Sequence, residues 1–281
     1  MTRRLMFLPF IALLAVAAIF AACGDDDDAT PSASPTPDAN AAAAEAFMRD
    51  LADTYNSGDY ATFLSRFSDK GILEFTEGEG GTTAAEARVQ ALEFLEGTVT
   101  IHEFTDVSTS GDVTTLTLES DDGSSFALET FELKKKGTTF EVDGYSRGIP
   151  DIPADKTALT VEATEYQFIF DEADITDGNL AFKFSNIGSQ DHEMALAKLD
   201  ATTPVNDIVA AALAQGQDDE ELPAGVEAFA GGSFAPPAKE DVFVPVDAFE
   251  PGRYLMICFI PDSTDEKPHA EHGMFKEFTI P

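Results

Sequence analysis

From Val99 to the C-terminus, apolar residues fall on alternate positions in one short run after another, and few folds accommodate that pattern. Val99 and Ile101, Leu116 and Leu118, Phe126 and Leu128, and Phe140 and Val142 form a first group. Tyr166, Phe168 and Phe170, then Leu180, Phe182 and Phe184, form a second. A period of two is the repeat of a half-buried strand. Turn signals separate the first runs at Ser110-Gly111-Asp112, Asp121-Asp122-Gly123 and Lys136-Gly137. The chain is therefore expected to be mainly antiparallel sheet.

Before Val99 the period is helical. Phe47, Met48, Leu51 and Tyr55 share one helix face, Gly58 can end that helix, and Asp59 can cap the next. Tyr60, Phe63, Leu64 and Phe67 give the second helix its buried side. Thr83-Ala84-Ala85-Glu86 reads as a capping box opening a third helix, with Val89, Leu92 and Leu95 as its apolar face. Three helices followed by a four-strand meander predict an α+β domain over residues 41–150. Within it, the stretch AFMRDLADTYNSGDYATFLSRFSDKG resembles the NTF2-like or SnoaL-like family. That resemblance implies a sheet curled around the helices into a cone with a pocket, where some members use an Asp/His pair as acid and base. The domain has one histidine, His102, expected to face solvent between Ile101 and Glu103, and no carboxylate is singled out by spacing. No catalytic residue is assigned and no enzyme is expected. Binding or dimerisation is the expected role, with the oligomeric state open.

The N-terminus reads as an export signal. Arg3 and Arg4 precede an apolar run from Leu5 to Ala22, which ends in small residues at Ala21-Ala22-Cys23-Gly24. This resembles the lipobox of bacterial lipoproteins, with Phe20 where Leu is usual, and implies residues 1–23 as signal and lipidation of Cys23. The other reading is an uncleaved membrane helix, although the run contains Pro9. Both place the remainder outside the cytoplasm, held at the membrane. Residues 24–40, rich in Asp, Ala, Ser, Thr and Pro, lack apolar periodicity and read as a disordered tether. The net charge of -35 disfavours nucleic acid and suits a basic redox partner or a cation. Steered docking of that kind should slow as salt rises; association indifferent to salt would exclude it.

Residues 155–281 read as an all-β sandwich. Further strands are expected at His192 to Leu199, Val242 to Val246, Tyr254 to Phe259 and Phe275 to Ile280. Thr203-Pro204 starts a helical insertion with Val205, Ile208, Val209 and Leu213 as its apolar stripe. Residues 215–240, with Gly231-Gly232 and Pro236-Pro237, read as loop.

Chemistry gathers in three segments here: FSNIGSQDH, PGRYLMIC and HAEHGM. A thiolate, two imidazoles and a thioether are the donors of a mononuclear copper site that cycles between Cu(I) and Cu(II). The chain has two cysteines, so a lipidated Cys23 leaves Cys258 without a disulfide partner. An odd thiol outside the cytoplasm is either buried or coordinated. The three segments resemble the ligand segments of plastocyanin-like cupredoxins. The resemblance implies one copper ion held by His192, Cys258, His269 and Met274, and one-electron transfer. Two departures stand out. Ten residues separate Cys258 from His269, a longer loop than that family uses, and Glu193 stands where an Asn usually ties the ligand segments together. Met194 and His272 are the substitute donors, and a His/Met set would suit Cu(I) storage or delivery. Two further readings stay open: a metal-free sandwich supporting an NTF2-like domain that binds or hydrolyses a small ligand, and a purely structural lipoprotein.

Overall fold

The computed structural model describes residues 39–76, 82–215 and 221–281. The export signal, Cys23 and nearly all of the tether lie outside those residues. No helix among the described residues is long and apolar enough to cross a membrane.

The N-terminal part begins with α1 (Ala39–Asn56), α2 (Tyr60–Ser65), α3 (Asp69–Phe75) and α4 (Ala84–Phe94). Short polar residues start the last three. The Asp59 carboxylate accepts the Thr62 amide, and Ser68 Oγ accepts the Gly71 amide. Thr83 and Glu86 form the reciprocal capping box. The meander follows as β1 (Thr100–Ser110), β2 (Val113–Asp121), β3 (Ser125–Lys136) and β4 (Thr139–Gly148), all paired antiparallel. Helices and sheet share one core, with Met48, Leu51, Phe67, Ile72, Leu116, Leu118, Leu133 and Val142 buried.

Three details differ from expectation. There are four helices before the meander among the described residues, because Ser68 caps a further turn that carries Ile72 into the core. The apolar face assigned to α4 is wrong: Val89 is 62% exposed and Leu92 48%, while Ala87 and Ala91 are fully buried. Arg88 fixes this rotation by donating to the Phe67 carbonyl and the Asp69 carboxylate, and the small alanines let the helix sit close. On β3, Phe131 and Leu133 face the core, so Phe126 and Leu128 lie on the other side by parity and are half-buried.

The C-terminal part is a two-layer sandwich. One layer contains β5 (Thr157–Thr164), β6 (Gln167–Ile169), β7 (Leu180–Asn186) and β10 (Glu240–Pro245); the other runs β12 (Phe275–Ile280), β11 (Gly252–Ile257), β8 (His192–Leu199), β9 (Val226–Ala235). β5 and β7 are parallel, and the other pairs are antiparallel. Leu159, Val161, Phe182, Phe184, Leu196, Tyr254, Met256 and Phe278 fill the space between the layers. α5 (Val205–Gln215) covers the outer face of the second layer, where Ile208 and Val209 meet Ala195, Leu199, Leu255 and Ile257. β8 and β11 are thus buried on both faces, which accounts for their nearly continuous apolar sequences.

Residues 226–235 are strand β9 rather than loop. Small residues erase the alternation there, and pairing with β8 builds the strand through two register shifts. Gly231, at φ 98°, falls at one of them, and a Cβ there would lie 2.2 Å from the Phe243 ring. The two parts also share a seam. β10 pairs with β7 along most of its length and with β3 at Phe126 and Ser125, so one eight-stranded sheet runs through both cores.

Candidate metal centre

Three segments meet at one end of the sandwich. The turn before β8 is shaped by Asn186, which is 1% exposed. Its amide donates to the Gln190 and Ala235 carbonyls, and its oxygen accepts the Gly188 amide. This delivers His192 as the first residue of β8, on the inward side shared with Met194. Cys258 follows β11 on the inward side shared with Tyr254 and Met256. A single 3₁₀ turn, His269–His272, carries the second imidazole. Backbone bonds lock these pieces: Cys258 N–H donates to Met274 O, Ala270 N–H to Cys258 O, and Met274 N–H to His269 O.

The result is a compact donor set. His192, Cys258, His269 and Met274 are each fully buried. His192 Nδ1 and His269 Nδ1 are 3.1 Å apart, and Cys258 Sγ is 3.5 Å from His269 Nδ1. Donors sharing one metal sit about 3–4 Å apart, because metal–nitrogen and metal–sulfur bonds are about 2.0–2.3 Å. The Nε2 atoms of both imidazoles are buried without a hydrogen-bond partner. Gly188 leaves the first of them its space, since a Cβ there would lie 2.8 Å from His192 Nε2. Met274 shares the core that holds Cys258. The residues therefore fit a soft or borderline transition-metal ion.

Both departures noted in the sequence have a structural answer. The long loop pinches shut at its base: His269 N–H donates to Ile260 O, Pro261 bridges Pro268, and Asp262 N–H donates to Lys267 O. Residues 262–267 become a side lobe, and His269 sits on the closed base. Glu193 restores the tie expected to be lost. Its carboxylate accepts the Phe259 amide at 2.6 Å, while its own N–H points at Cys258 Sγ at 3.5 Å.

Sequence reading missed the lobe's anchor, Asp262, which is 1% exposed. It accepts from Tyr166 Oη, Gln190 Nε2 and the amide and hydroxyl of Thr264. The run Asp262-Ser263-Thr264 was a readable turn signal. Met194 is buried in the same core as Cys258. His272 belongs to a separate cluster with Asp262 and Asp265, and its Nε2 lies 3.2 Å from Asp265 Oδ1. His102 is not simply solvated: its Nε2 lies 2.6 Å from Asp121 Oδ2 and its ring packs on Phe126.

Burial dominates the electrostatics. Desolvation, then the neighbouring His269, pushes His192 down to about 4, and burial also lowers His269. Desolvation, then Glu193, pushes the Cys258 thiol up to about 12. Burial raises Glu193 to about 7, against the opposing Phe259 amide. The metal-free protein thus holds two neutral imidazoles and a thiol. His192 contributes stability above about 6.5 that is lost as pH falls toward 4; Glu193 contributes stability below about 4.5 that is lost as pH rises through 7. Between roughly pH 4.5 and 6.5 the two slopes oppose, each at most about 1.4 kcal/mol per pH unit. Urea melts across this window should show Glu193→Gln losing stability toward acid pH more steeply than the native protein. Parallel curves for the two would refute the assignment.

No protein-family profile and no curated protein matches the chain. Among solved structures it is similar to a Na-dithionite reduced auracyanin from the photosynthetic bacterium Roseiflexus castenholzii, at 19% identity and a TM-score of 0.30, over 45% of this chain and 98% of that one. It is also similar to auracyanin B, at 15% identity and a TM-score of 0.30, over 47% of this chain and 93% of that one. Likenesses at that level do not reach into function.

Proposed function

We propose that this chain holds one copper ion through His192, Cys258 and His269, with Met274 as the weak fourth donor, and passes single electrons outside the cytoplasm while anchored to a membrane by lipidated Cys23. One observation carries the copper reading: two imidazole Nδ1 atoms and a thiol converge at 3.1 and 3.5 Å, with all three side chains fully buried. A plain hydrophobic interior would not assemble two histidines and a cysteine edge to edge. Bound there, copper would supply a one-electron couple. The chain's part is to hold the donors rigidly at the start of β8, just past β11 and on the 3₁₀ turn, and to exclude water, so that little rearranges between oxidation states. The acidic surface favours a basic redox partner.

The test is a copper titration of the full chain in detergent, followed by removal of excess metal. An intense visible thiolate-to-copper band with one ion retained supports electron transfer. One tightly held but colourless ion supports storage or delivery instead. Failure to retain copper in either oxidation state sinks both.

The N-terminal part supports a second reading, as an NTF2-like ligand-binding domain. On the core-facing side of β3, Glu129 accepts from Ser120 Oγ at 2.6 Å and Tyr145 Oη at 2.8 Å. Half-buried polar clusters of this kind can orient ligands beside apolar surfaces. A thermal-shift screen of small polar molecules should give hits that Glu129→Ala abolishes; hits unchanged by that substitution would exclude this cluster.

A further inference from the structure

We infer that Asp262, on the lobe inserted between Cys258 and His269, is a positioning residue that fixes His269 in the Nε2–H tautomer and so leaves its Nδ1 lone pair facing the metal pocket. The inference rests on the copper reading for the purpose of that lone pair, but the tautomer itself can be read without metal.

His269 is fully buried, and its two ring nitrogens face different surroundings. Nδ1 lies against His192 Nδ1 and Cys258 Sγ. Nε2 has no hydrogen-bond partner, and Asp262 Oδ2 lies 3.9 Å away. That separation is too long for a hydrogen bond, so the carboxylate acts as a fixed charge. Asp262 accepts from four donors, the Thr264 amide and hydroxyl, Tyr166 Oη and Gln190 Nε2, so its oxygens act only as acceptors and the carboxylate is held still. A neutral imidazole beside such a charge keeps its proton on the nearer nitrogen. His192 then carries its proton on Nδ1 and donates it across the 3.1 Å gap to His269 Nδ1. For a metal to take that nitrogen, the proton would move to His192 Nε2, which has no other partner, so His192 stays neutral; the proton on His269 Nε2 stays. The lobe is thus part of the centre, because it carries the charge that decides which nitrogen of His269 is available.

Four histidines make the tautomers readable by ¹⁵N NMR on metal-free full chain labelled at histidine. The expected spectrum has His269 protonated at Nε2 and His192 at Nδ1. Asp262→Asn keeps the size, removes the charge and gives up acceptance at one of the two oxygens; it should collapse this preference while lowering copper affinity about 10–100-fold, the usual effect of losing a group that orients a metal ligand. Tyr166→Phe keeps the carboxylate and should leave the tautomers unchanged. The proposal is overturned if Asp262→Asn preserves both tautomer and affinity, or if Tyr166→Phe disturbs the tautomer equally. A native chain that binds no copper yet shows the expected tautomers would sink the copper reading and leave the role of Asp262 standing.

Discussion

Cys258→Ala is expected to abolish any visible thiolate-to-copper band and to weaken copper binding by more than about 100-fold. Loss of a group that merely orients a ligand already costs about 10–100-fold, and a donor atom should cost more. The fold should survive, because the thiol is a small buried group whose backbone bonds to Met274 and Ala270 do not involve the side chain. Equilibrium dialysis and absorption spectra of native and variant chains decide the matter. Undiminished copper in the variant would move the site to histidine and methionine donors alone. A second signature follows from the raised thiol. Cys258 enters as a protonated group, whereas the imidazoles are already neutral at pH 7. Uptake must expel about one proton from Cys258, so affinity should climb about tenfold per pH unit between roughly pH 7.5 and 9.

Phe182→Ala should produce the largest loss of stability. Phe182 is fully buried, sits opposite Phe243 in the β7–β10 ladder and Leu159 in the β5–β7 ladder, and meets the Phe249 ring edge-on at 5.6 Å. Removing a phenyl ring from such a site costs about 3–5 kcal/mol through lost transfer energy and the remaining cavity. At roughly 2–4 °C per kcal/mol for a chain of this size, the melting point should fall by at least about 6 °C. Calorimetry of both proteins checks this. A change under about 1 kcal/mol would mean that neighbouring aromatic rings collapse into the space.

Local signals made much of this legible in advance. Alternation exposed the strands, because a sheet with one dry face imposes a period of two. The capping box at Thr83 and Glu86 was readable because it needs only residues three apart. That His192, Cys258 and His269 would gather could be anticipated because so few residue types bind copper, although their spacing in sequence gave no hint of how the loop would close. What escaped depended on neighbours distant in sequence. The rotation of α4 is set by Arg88 reaching Phe67 and Asp69. β9 exists because β8 offers it a partner, and its glycines carry no period. Glu193 takes over a tying bond by reaching Phe259, which no substitution rule of thumb would have suggested.

The seam between the two cores also sets an order of events during synthesis. The first core is complete in sequence by Gly148, and N-terminal units tend to fold first. β4 covers β3 only from Leu128 onward, so Ser125 and Phe126 wait for Val244 and Pro245, some 120 residues later in the chain. Through that interval the start of β3 is an open edge, able to pair with a neighbouring chain instead of its own. The nascent protein is therefore most prone to aggregation while β10 is still unmade, and that hazard closes only when β10 zips between β3 and β7.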